Sequence, residues 1–353
     1  MAITIALDAH GGDEGLGVNI AATRQALRDP ELRVVLVGDS PTIARALGAR
    51  FPGKERLEIA HATESIGMGE SAVKSIRRKA DSSIAVALQM HKRGDVDGVV
   101  SAGNSGAMVA AALMTLGRIR GVSRPALGTC FPSPGPPTFF LDIGAVVDPR
   151  PDVLLQFGYL GAAYSEHVLN VIRPTVALLS NGEEASKGNA LTREARDLLA
   201  CARLHFTGYV EGRELLTHPA AVIVTDGFTG NIALKTAEGT ANTIQALMRR
   251  EFLADLRSKL GSLILKPAFK RVRGHLDYDR IGGAPLLGVQ GVVIVSHGSA
   301  PVNAIANAIG VAARSARINL PELLRNAVPA ATSSEPTLDA PRAISNVAAV
   351  SAP

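Results

Sequence analysis

The chain has 353 residues, of which 46% are hydrophobic, 20% are charged and 4% are aromatic, and its formal net charge is +5. This apolar fraction and moderate charge exclude a chain that is disordered throughout, and the length is ample for a well-buried core. Without Trp, the core must consist mainly of Ala, Val, Leu and Ile, which favours an α/β enzyme over an aromatic-rich recognition surface.

The cysteines and the first residues bear on the environment of the protein. Neither Cys130 nor Cys201 has a second Cys or a His at metal-ligand spacing, so we expect no zinc site and no disulfide, but two buried thiols. The start of the chain lacks a basic segment and reaches Asp8 too soon for a signal peptide. No apolar run approaches the roughly 18 residues of a membrane span. These features predict a cytoplasmic protein.

Six short apolar runs are predicted to be buried strands, and turns rich in Gly, Ser, Asn or Asp follow them. In chain order the runs are 3–7, 32–37, 98–100, 176–179, 221–224 and 292–295. Helical patterns follow three of the turns, at 107–116, from 231 through 248 and at about 302–316. Apolar strands without polar alternation, each followed by a helix, indicate a mainly parallel sheet covered on both faces. In such a sheet the turns gather along one edge, where ligands bind.

Two other segments bear on domain organisation. The proline-rich stretch 132–137 is predicted to be a stiff loop or hairpin connection. From 329 to 353 the composition turns to Ala, Ser and Pro without periodicity, which predicts a flexible tail that the chemistry does not need. We therefore expect one α/β domain over 1–328, followed by this tail.

The turns are suited to binding an anion. A strand, a small polar turn and a helix start together present backbone N–H donors and the positive end of a helix dipole. Several such turns in one chain favour a shared phosphate pocket over ordinary turn formation. No P-loop, dinucleotide fingerprint, nucleophile elbow or H-E-x-x-H motif occurs. Four aspartates could hold Mg²⁺, but turn capping and pairing with Lys or Arg are favoured for most of them: Asp8, Asp13, Asp142 and Asp226.

Two basic side chains have competing interpretations. Lys187, beside Glu183 and Glu184, is either a cation that faces the anion pocket or half of a surface ion pair. His297 directly follows a predicted strand, where it can donate to an anion, carry a proton or serve only as a structural residue.

Taken together, the turns resemble those of the bacterial phosphate acyltransferase family. The segments that carry the resemblance span roughly residues 1 to 318 and occur in this order: Asp8-Ala-His-Gly-Gly-Asp13, Arg78-Lys-Ala-Asp-Ser-Ser83, Ser101-Ala-Gly-Asn-Ser-Gly106, Gly182-Glu-Glu-Ala-Ser-Lys-Gly-Asn189, Val210-Glu-Gly-Arg213, Asp226-Gly-Phe-Thr-Gly-Asn-Ile-Ala-Leu-Lys235, Gly282-Gly-Ala-Pro-Leu-Leu-Gly288 and Ser296-His-Gly-Ser299. The sequence departs from the family at Val146, Ser180 and Pro301, where the family has asparagine, and we assign these side chains no role.

The resemblance implies an activity, a fold and partners. It implies transfer of a long-chain acyl group from acyl carrier protein to inorganic phosphate, giving acyl phosphate that feeds a glycerol-3-phosphate acyltransferase in phospholipid synthesis. It also implies a three-layer α/β/α fold related to the isocitrate and isopropylmalate dehydrogenases, a homodimer, and peripheral association with the inner face of the membrane. We expect no cofactor and no metal.

Attack by phosphate on a thioester needs positioning and stabilisation of a second negative charge rather than a catalytic triad. We expect the phosphate-binding residues to be Ser101, Asn104, Ser105, Gly106, Lys187 and Asn189. Asn231 or backbone N–H groups are expected to stabilise the oxyanion, and His297 or Asp226 to pass a proton to the leaving sulfur.

The basic surplus has two candidate locations. Arg77, Arg78 and Lys79 are either a docking site for the acidic carrier protein or a solvated face. Segment 249–275 alternates bases with apolar residues at helical spacing, and we expect Pro267 to interrupt it. Such a segment, with Leu263-Ile264-Leu265 at its centre, can lie in a membrane interface, form a dimer, or do both. The basic residues do not alternate with aromatic ones, so no nucleic-acid partner is expected.

Three other functions are compatible with parts of the pattern. A metal- and NAD-dependent decarboxylating dehydrogenase would share the fold, but it needs an Asp-rich metal site and an adenine-binding loop, and neither is evident. A short-chain phosphotransacylase would perform similar chemistry with coenzyme A as acyl carrier. A non-catalytic membrane scaffold would need none of the pocket residues.

Overall fold

In a computed structural model of the protein, the described residues are 2–48, 51–133, 135–276 and 282–329, with the backbone alone described at 270–276. The strands in this part of the chain are β1 (Ile3–Asp8), β2 (Leu32–Gly38), β3 (Leu57–His61), β4 (Gly98–Ser101), β5 (Ala126–Phe131), β6 (Thr138–Leu141), β7 (Thr175–Ser180), β8 (His205–Glu211), β9 (Val222–Val224), β10 (Ala284–Leu287) and β11 (Val293–Val295). The helices are α1 (Leu16–Ala26), α2 (Ser40–Leu47), α3 (Ala72–Arg78), α4 (Ser83–Arg93), α5 (Ser105–Thr115), α6 (Pro151–His167), α7 (Ala190–Ala200), α8 (Gly227–Phe252), α9 (Leu256–Leu276), α10 (Val302–Arg317) and α11 (Leu320–Ala327).

All six predicted strands form, as β1, β2, β4, β7, β9 and β11, and the three predicted helices form as α5, α8 and α10. The strands belong to one sheet in the order β3-β2-β1-β4-β11-β10-β5-β6-β9-β7-β8. Most neighbours are parallel, but β10 is antiparallel to both of its neighbours and β5 is antiparallel to β6.

The expectation that all the turns gather along one edge is wrong. Because β5 and β6 are antiparallel, β6, β9, β7 and β8 run opposite to β1–β4 and β11. The turns after the two sets of strands therefore begin on opposite edges of the sheet. These edges approach each other at β10, where Ala284 pairs with Val295 and Leu287 pairs with Ala126. Four residues of strand span only about 10 Å between their first and last Cα atoms.

Helices cover both faces of the sheet, which gives a three-layer α/β/α architecture. One core cluster packs α1 and α10 against the first set of strands, and another packs α6, α7 and α11 against the second set. A third cluster, with α4 and α5, covers the other face and continues to Leu234 of α8. The mainly aliphatic core agrees with the composition, but the β5–β6 hairpin adds stacked aromatic pairs at Phe131–Phe140 and Phe139–Tyr164.

The two cysteines differ in environment. Cys130 lies buried in β5, and burial raises the pKa of its thiol to about 12. Cys201 is exposed at the C-terminal end of α7, so the expectation of two buried thiols is wrong for this residue. A position just past a helix end lies outside the apolar stripe that packs on the sheet.

The remaining predictions about segments have different outcomes. The stretch 132–137 joins β5 to β6, and Phe131 pairs with Thr138, so a hairpin connection is confirmed. Pro267 does not interrupt the basic segment, because α9 continues through it. Proline removes one helical hydrogen bond and costs roughly 3 kcal/mol in a helix interior, which a long helix can tolerate. The predicted tail from 330 onward lies outside the described residues. None of the described helices has the length and apolar character needed to cross a membrane.

Candidate active site

A polar pocket of about 540 Å³ lies where the two edges of the sheet approach each other. The turns after β4 and β11 contribute Ser105, Ser296, His297 and Ser299, and the loop after β6 contributes Gly144. Helix α8 contributes a row of polar side chains at helical spacing: Asn231, Lys235, Glu238, Asn242 and Gln245. We call this space the polar pocket.

The turn after β4 is fixed by a buried hydrogen bond. The Ser101 hydroxyl is fully buried, donates to Asp8 Oδ2 at 2.8 Å and accepts from the Gly103 N–H at 3.0 Å. A Cβ on Gly11 would lie 2.7 Å from the same carboxylate oxygen, so the turns after β1 and β4 pack too closely for any other residue there. Ser101, which the sequence predicts to bind phosphate, holds these two turns together.

Asn104 also has a structural role. Its side-chain oxygen accepts from the Ala107 N–H and caps α5, while its amide nitrogen donates to the carbonyls of Gly67, Met68 and Glu70. The backbone N–H groups of the first helical turn have no carbonyl partner within the helix. Ser105 and Gly106 occupy that turn, and Ser105 lines the polar pocket.

The loop that Asn104 holds is fixed from its other side by a lysine. Lys79 Nζ donates to Glu70 Oε1 at 2.7 Å and to the Ser65 carbonyl at 2.8 Å. The hydrogen bond from Lys79, with further donors at Gly67 and Ser75, lowers the pKa of Glu70 to about 2. Of the three predicted docking cations, Lys79 is thus engaged in the fold, whereas Arg77 and Arg78 are exposed.

A buried carboxylate positions the start of α8. Asp142 is fully buried, and its side chain accepts from the backbone N–H groups of Leu127, Gly144, Ala145 and Val146 at 2.7–3.1 Å. Burial raises the pKa of Asp142 to about 6, against these four donors, which lower it.

The loop that Asp142 organises lies directly against the first turn of α8. The Gly227 N–H donates to the Val146 carbonyl at 2.8 Å, and a Cβ on Gly230 would overlap the Asp142 carbonyl oxygen. The position of Asn231, the next residue in the helix, therefore depends on this loop. Val146 takes part through its backbone, which explains how the position can lack a polar side chain.

Lys235 and His297 meet in the polar pocket. Lys235 Nζ lies 3.2 Å from His297 Nε2 and donates to Glu238 Oε2 at 2.8 Å. His297 Nδ1 lies 2.8 Å from the Ser299 hydroxyl oxygen. The backbone N–H of Ser299 donates to the same ring nitrogen at 3.3 Å, so the turn after β11 fixes the orientation of the imidazole.

Sequence reasoning gave Lys235 no role, because its contact with His297 joins residues 62 positions apart. One signal was available: Lys235 follows Asn231 by four residues and precedes Glu238 by three, which places all three on one helix face.

Three other predicted residues lie at or just before the N-terminal ends of helices. Asn189 caps α7 by accepting from the Thr192 N–H, and Asp226 caps α8 by accepting from the Thr229 N–H and hydroxyl. Lys187 is exposed in the turn after β7, against Gly182. None of the three lines the polar pocket, which brings together only Ser105, Asn231 and His297 from the predicted set.

The other candidate groups occupy defined positions. Pro301 lines the polar pocket and precedes α10, and Ser180 ends β7. Asp8, Asp142 and Asp226 each accept a backbone N–H within their own turns, as the capping interpretation predicted. Within the residues described, no cluster of three or more His, Cys, Asp and Glu side chains could hold a metal ion.

A cation, hydroxyl and amide groups and an imidazole thus converge on a site at the ends of strands in an α/β/α fold. Such groups are suited to an enzyme that binds an anionic substrate and transfers a proton beside it. The family described as "Fatty acid synthesis protein" matches residues 3–323.

Relatives and a solved structure extend this comparison. Phosphate acyltransferase of Geobacter sulfurreducens is 43% identical over 86% of the chain and 88% of the relative, and that of Dictyoglomus turgidum is 45% identical over 90% and 95%. A phosphotransacetylase from Streptococcus pyogenes, at 20% identity, shares the fold with a TM-score of 0.61 over 90% of this chain and 94% of its own. The chain therefore belongs to the phosphate acyltransferase family, and it is an acyltransferase.

Proposed function

We propose that this enzyme transfers a long-chain acyl group from acyl carrier protein to inorganic phosphate, giving acyl phosphate for the synthesis of phosphatidic acid. The observation that carries the proposal is the contact between Lys235 and His297 in a polar pocket that also contains Asn231 and Ser105. The pocket supplies a cation and neutral donors for phosphate, together with a group that can move a proton.

The reaction balances without a cofactor. An oxygen of hydrogen phosphate forms a bond to the thioester carbonyl carbon, the carbon–sulfur bond breaks, and the proton of the phosphate ends on the thiol of the carrier. Lys235 Nζ and the Ser105 hydroxyl hold the phosphate, and Asn231 donates to the developing oxyanion. The imidazole of His297 takes the phosphate proton and passes it to the leaving sulfur. Asp226, the other candidate for this role, is engaged as a helix cap.

The remaining predicted ligands lie beside this site. Gly106 can contribute a backbone N–H at the start of α5. Lys187 and Asn189 stay predicted phosphate ligands, and they belong to the loop after β7, on the same edge as the loop after β6. Contact with phosphate would require that loop to move toward the polar pocket.

We further propose a peripheral association with the cytoplasmic face of an anionic membrane, a homodimer, and hand-over of the product to a glycerol-3-phosphate acyltransferase. Exposed apolar side chains on α9 support the first two proposals: Leu256, Leu260, Leu263, Ile264 and Leu265. Exposed Arg77 and Arg78 remain candidates for docking the acidic carrier protein. We also propose that the fold of this protein is related to that of the isocitrate and isopropylmalate dehydrogenases.

Glutamates on α9 are expected to weaken membrane binding. Leu260 and Ile264 lie one helical turn apart and are 67% and 74% exposed, so Leu260→Glu/Ile264→Glu places two charges where apolar side chains would enter the lipid interface. Flotation with vesicles that contain anionic lipid should fall at least fivefold.

The control is Ile172→Glu, because Ile172 is 89% exposed and lies outside α9. This variant should float like the unmodified protein. Unchanged flotation of the double variant would reject membrane contact by α9, and a change to a smaller species on gel filtration would assign these side chains to the dimer.

The test of the proposed reaction is the release of free carrier protein from palmitoyl-carrier protein, with acyl-coenzyme A as the competing donor. We expect phosphate-dependent release from the carrier protein and formation of acyl phosphate. Preference for a short-chain coenzyme A thioester would favour the phosphotransacylase alternative.

A further inference from the structure

A second and larger groove runs along α8 beside the polar pocket. It has a volume of about 1990 Å³ and lies between α8, α9 and the chain at 212–216. Pockets for small ligands occupy roughly 300–1,000 Å³, so this groove is about twice as large as a small substrate needs. We call it the apolar groove.

Short side chains on α8 leave this groove open. Ala233, Ala237 and Ala241 recur every four residues and so form one stripe of the helix that faces the groove. Buried Phe131 and Leu215 line it from the side of the sheet. Its walls are therefore mainly apolar, in contrast to the pocket beside it.

The apolar groove and the polar pocket adjoin along α8. Ala241 and Gln245 line both of them. Lys235 and Glu238 line only the polar pocket, whereas Ala237 lines only the apolar groove, so neighbouring faces of one helix carry opposite chemistry. A ligand with an anionic head in the polar pocket can extend an apolar tail past Ala241 without leaving the protein surface.

We infer that the apolar groove binds the acyl chain of the donor and of the acyl phosphate product. This inference rests on the proposed function, because the carbonyl carbon must lie in the polar pocket when phosphate attacks it. From Ala241 to Phe252 the helix extends about 16 Å, at 1.5 Å per residue. The rings of Phe252 and Phe269 meet 4.7 Å apart at the far end and close the groove between the two helices.

A bulky residue in the apolar groove is expected to discriminate against long acyl chains. Thr240→Phe should lower kcat/KM for palmitoyl-carrier protein at least tenfold and leave butyryl-carrier protein within twofold. The reason is that each methylene that can no longer be buried in the groove lowers the binding affinity by about fourfold. The matched control is Thr243→Phe, since Thr243 lies on the same helix and lines neither space.

An equal loss of kcat/KM with palmitoyl- and butyryl-carrier protein, or no loss with either donor, would overturn the inference. A Thr240→Phe variant with a changed oligomeric state and an unchanged preference for acyl-chain length would also overturn the inference. In that case a second copy of the chain would occupy the groove.

Calorimetry on the unmodified protein separates this inference from the proposed reaction. Hexadecyl phosphate should bind at least tenfold more tightly than butyl phosphate, and Thr240→Phe should remove most of that difference. If the protein transferred no acyl group from any carrier protein, the proposed function would fail, yet this comparison would still test the groove. Equal affinity for the two alkyl phosphates would contradict acyl-chain binding directly.

Discussion

Replacement of Lys235 by alanine is expected to lower turnover by about 10²- to 10³-fold. The loss of one preorganised donor to a developing charge has effects of this size in other enzymes. Lys235 supplies the cation of the polar pocket, and its ammonium also contacts His297 Nε2. The variant should fold normally, because the lysine is exposed and its ion pair with Glu238 is a surface contact. Trapping of acyl phosphate with hydroxylamine gives the rate.

Two other lysine variants complete the experiment. Lys92→Ala, on exposed α4 surface away from the pocket, should retain full activity. Lys187→Ala tests the cation that sequence reasoning preferred. Losses in both Lys187→Ala and Lys235→Ala would indicate that the loop after β7 closes on the phosphate. Activity of Lys235→Ala within twofold of the unmodified enzyme would refute the role assigned to the polar pocket.

Replacement of Asp142 by alanine is expected to reduce both stability and activity. Four backbone N–H groups, that of Leu127 buried and the other three partly buried, would lose their acceptor, and a buried donor costs about 1–3 kcal/mol if it remains unpaired. After partial relaxation, the free energy of unfolding should fall by at least about 3 kcal/mol. Because the same loop supports the first turn of α8, the rate should fall even at temperatures where the variant is folded. Urea unfolding and initial rates measure the two effects.

Asp142→Asn is the control that keeps the shape of the side chain. The pKa of about 6 lies above the value of about 3.9 for an exposed aspartate, so the folded chain holds this proton more tightly than the unfolded chain. The resulting stabilisation is complete below about pH 4 and is lost as the pH rises through 6. Relative to Asp142→Asn, the unmodified protein should therefore lose up to about 3 kcal/mol between pH 4 and 7. A gain of stability over that pH range would mean that the four N–H donors lower the pKa of Asp142 by more than burial raises it.

The strands that could be predicted are those whose burial is evident from the sequence. The runs 176–179 and 292–295 are continuous apolar segments followed by small polar turns, because strands covered on both faces need apolar residues throughout. β3 escaped prediction because it lies at the edge of the sheet and is largely exposed. β10 escaped because it has four residues, one of which is proline.

The direction of the strands could not be predicted, and this limited the prediction of the site. Strand direction depends on pairings such as Leu286 with Leu127, which are remote in sequence. Without the strand directions, the sequence places all the turns at one edge of the sheet, and it predicts Lys187 beside Ser101. The sequence identifies the polar residues of the turns. It does not show which of them form hydrogen bonds within the fold, such as the one between Ser101 and Asp8, because these residues are 93 positions apart.

The family resemblance supplied the reaction, and the structure locates groups that can perform it. Ser105, Asn231 and His297 were predicted and line the polar pocket, whereas Lys235 emerged from the helix face on which Asn231 lies. The basic surplus is consistent with anionic partners, since phosphate, an acidic carrier protein and an anionic membrane are the proposed ones.

The most direct measurement is the release of free carrier protein from palmitoyl-carrier protein by the unmodified enzyme, with and without inorganic phosphate. We expect release only with phosphate, in amounts equal to the acyl phosphate formed, because phosphate is the nucleophile. Release without phosphate, yielding free fatty acid, would contradict transfer to phosphate and indicate a thioesterase.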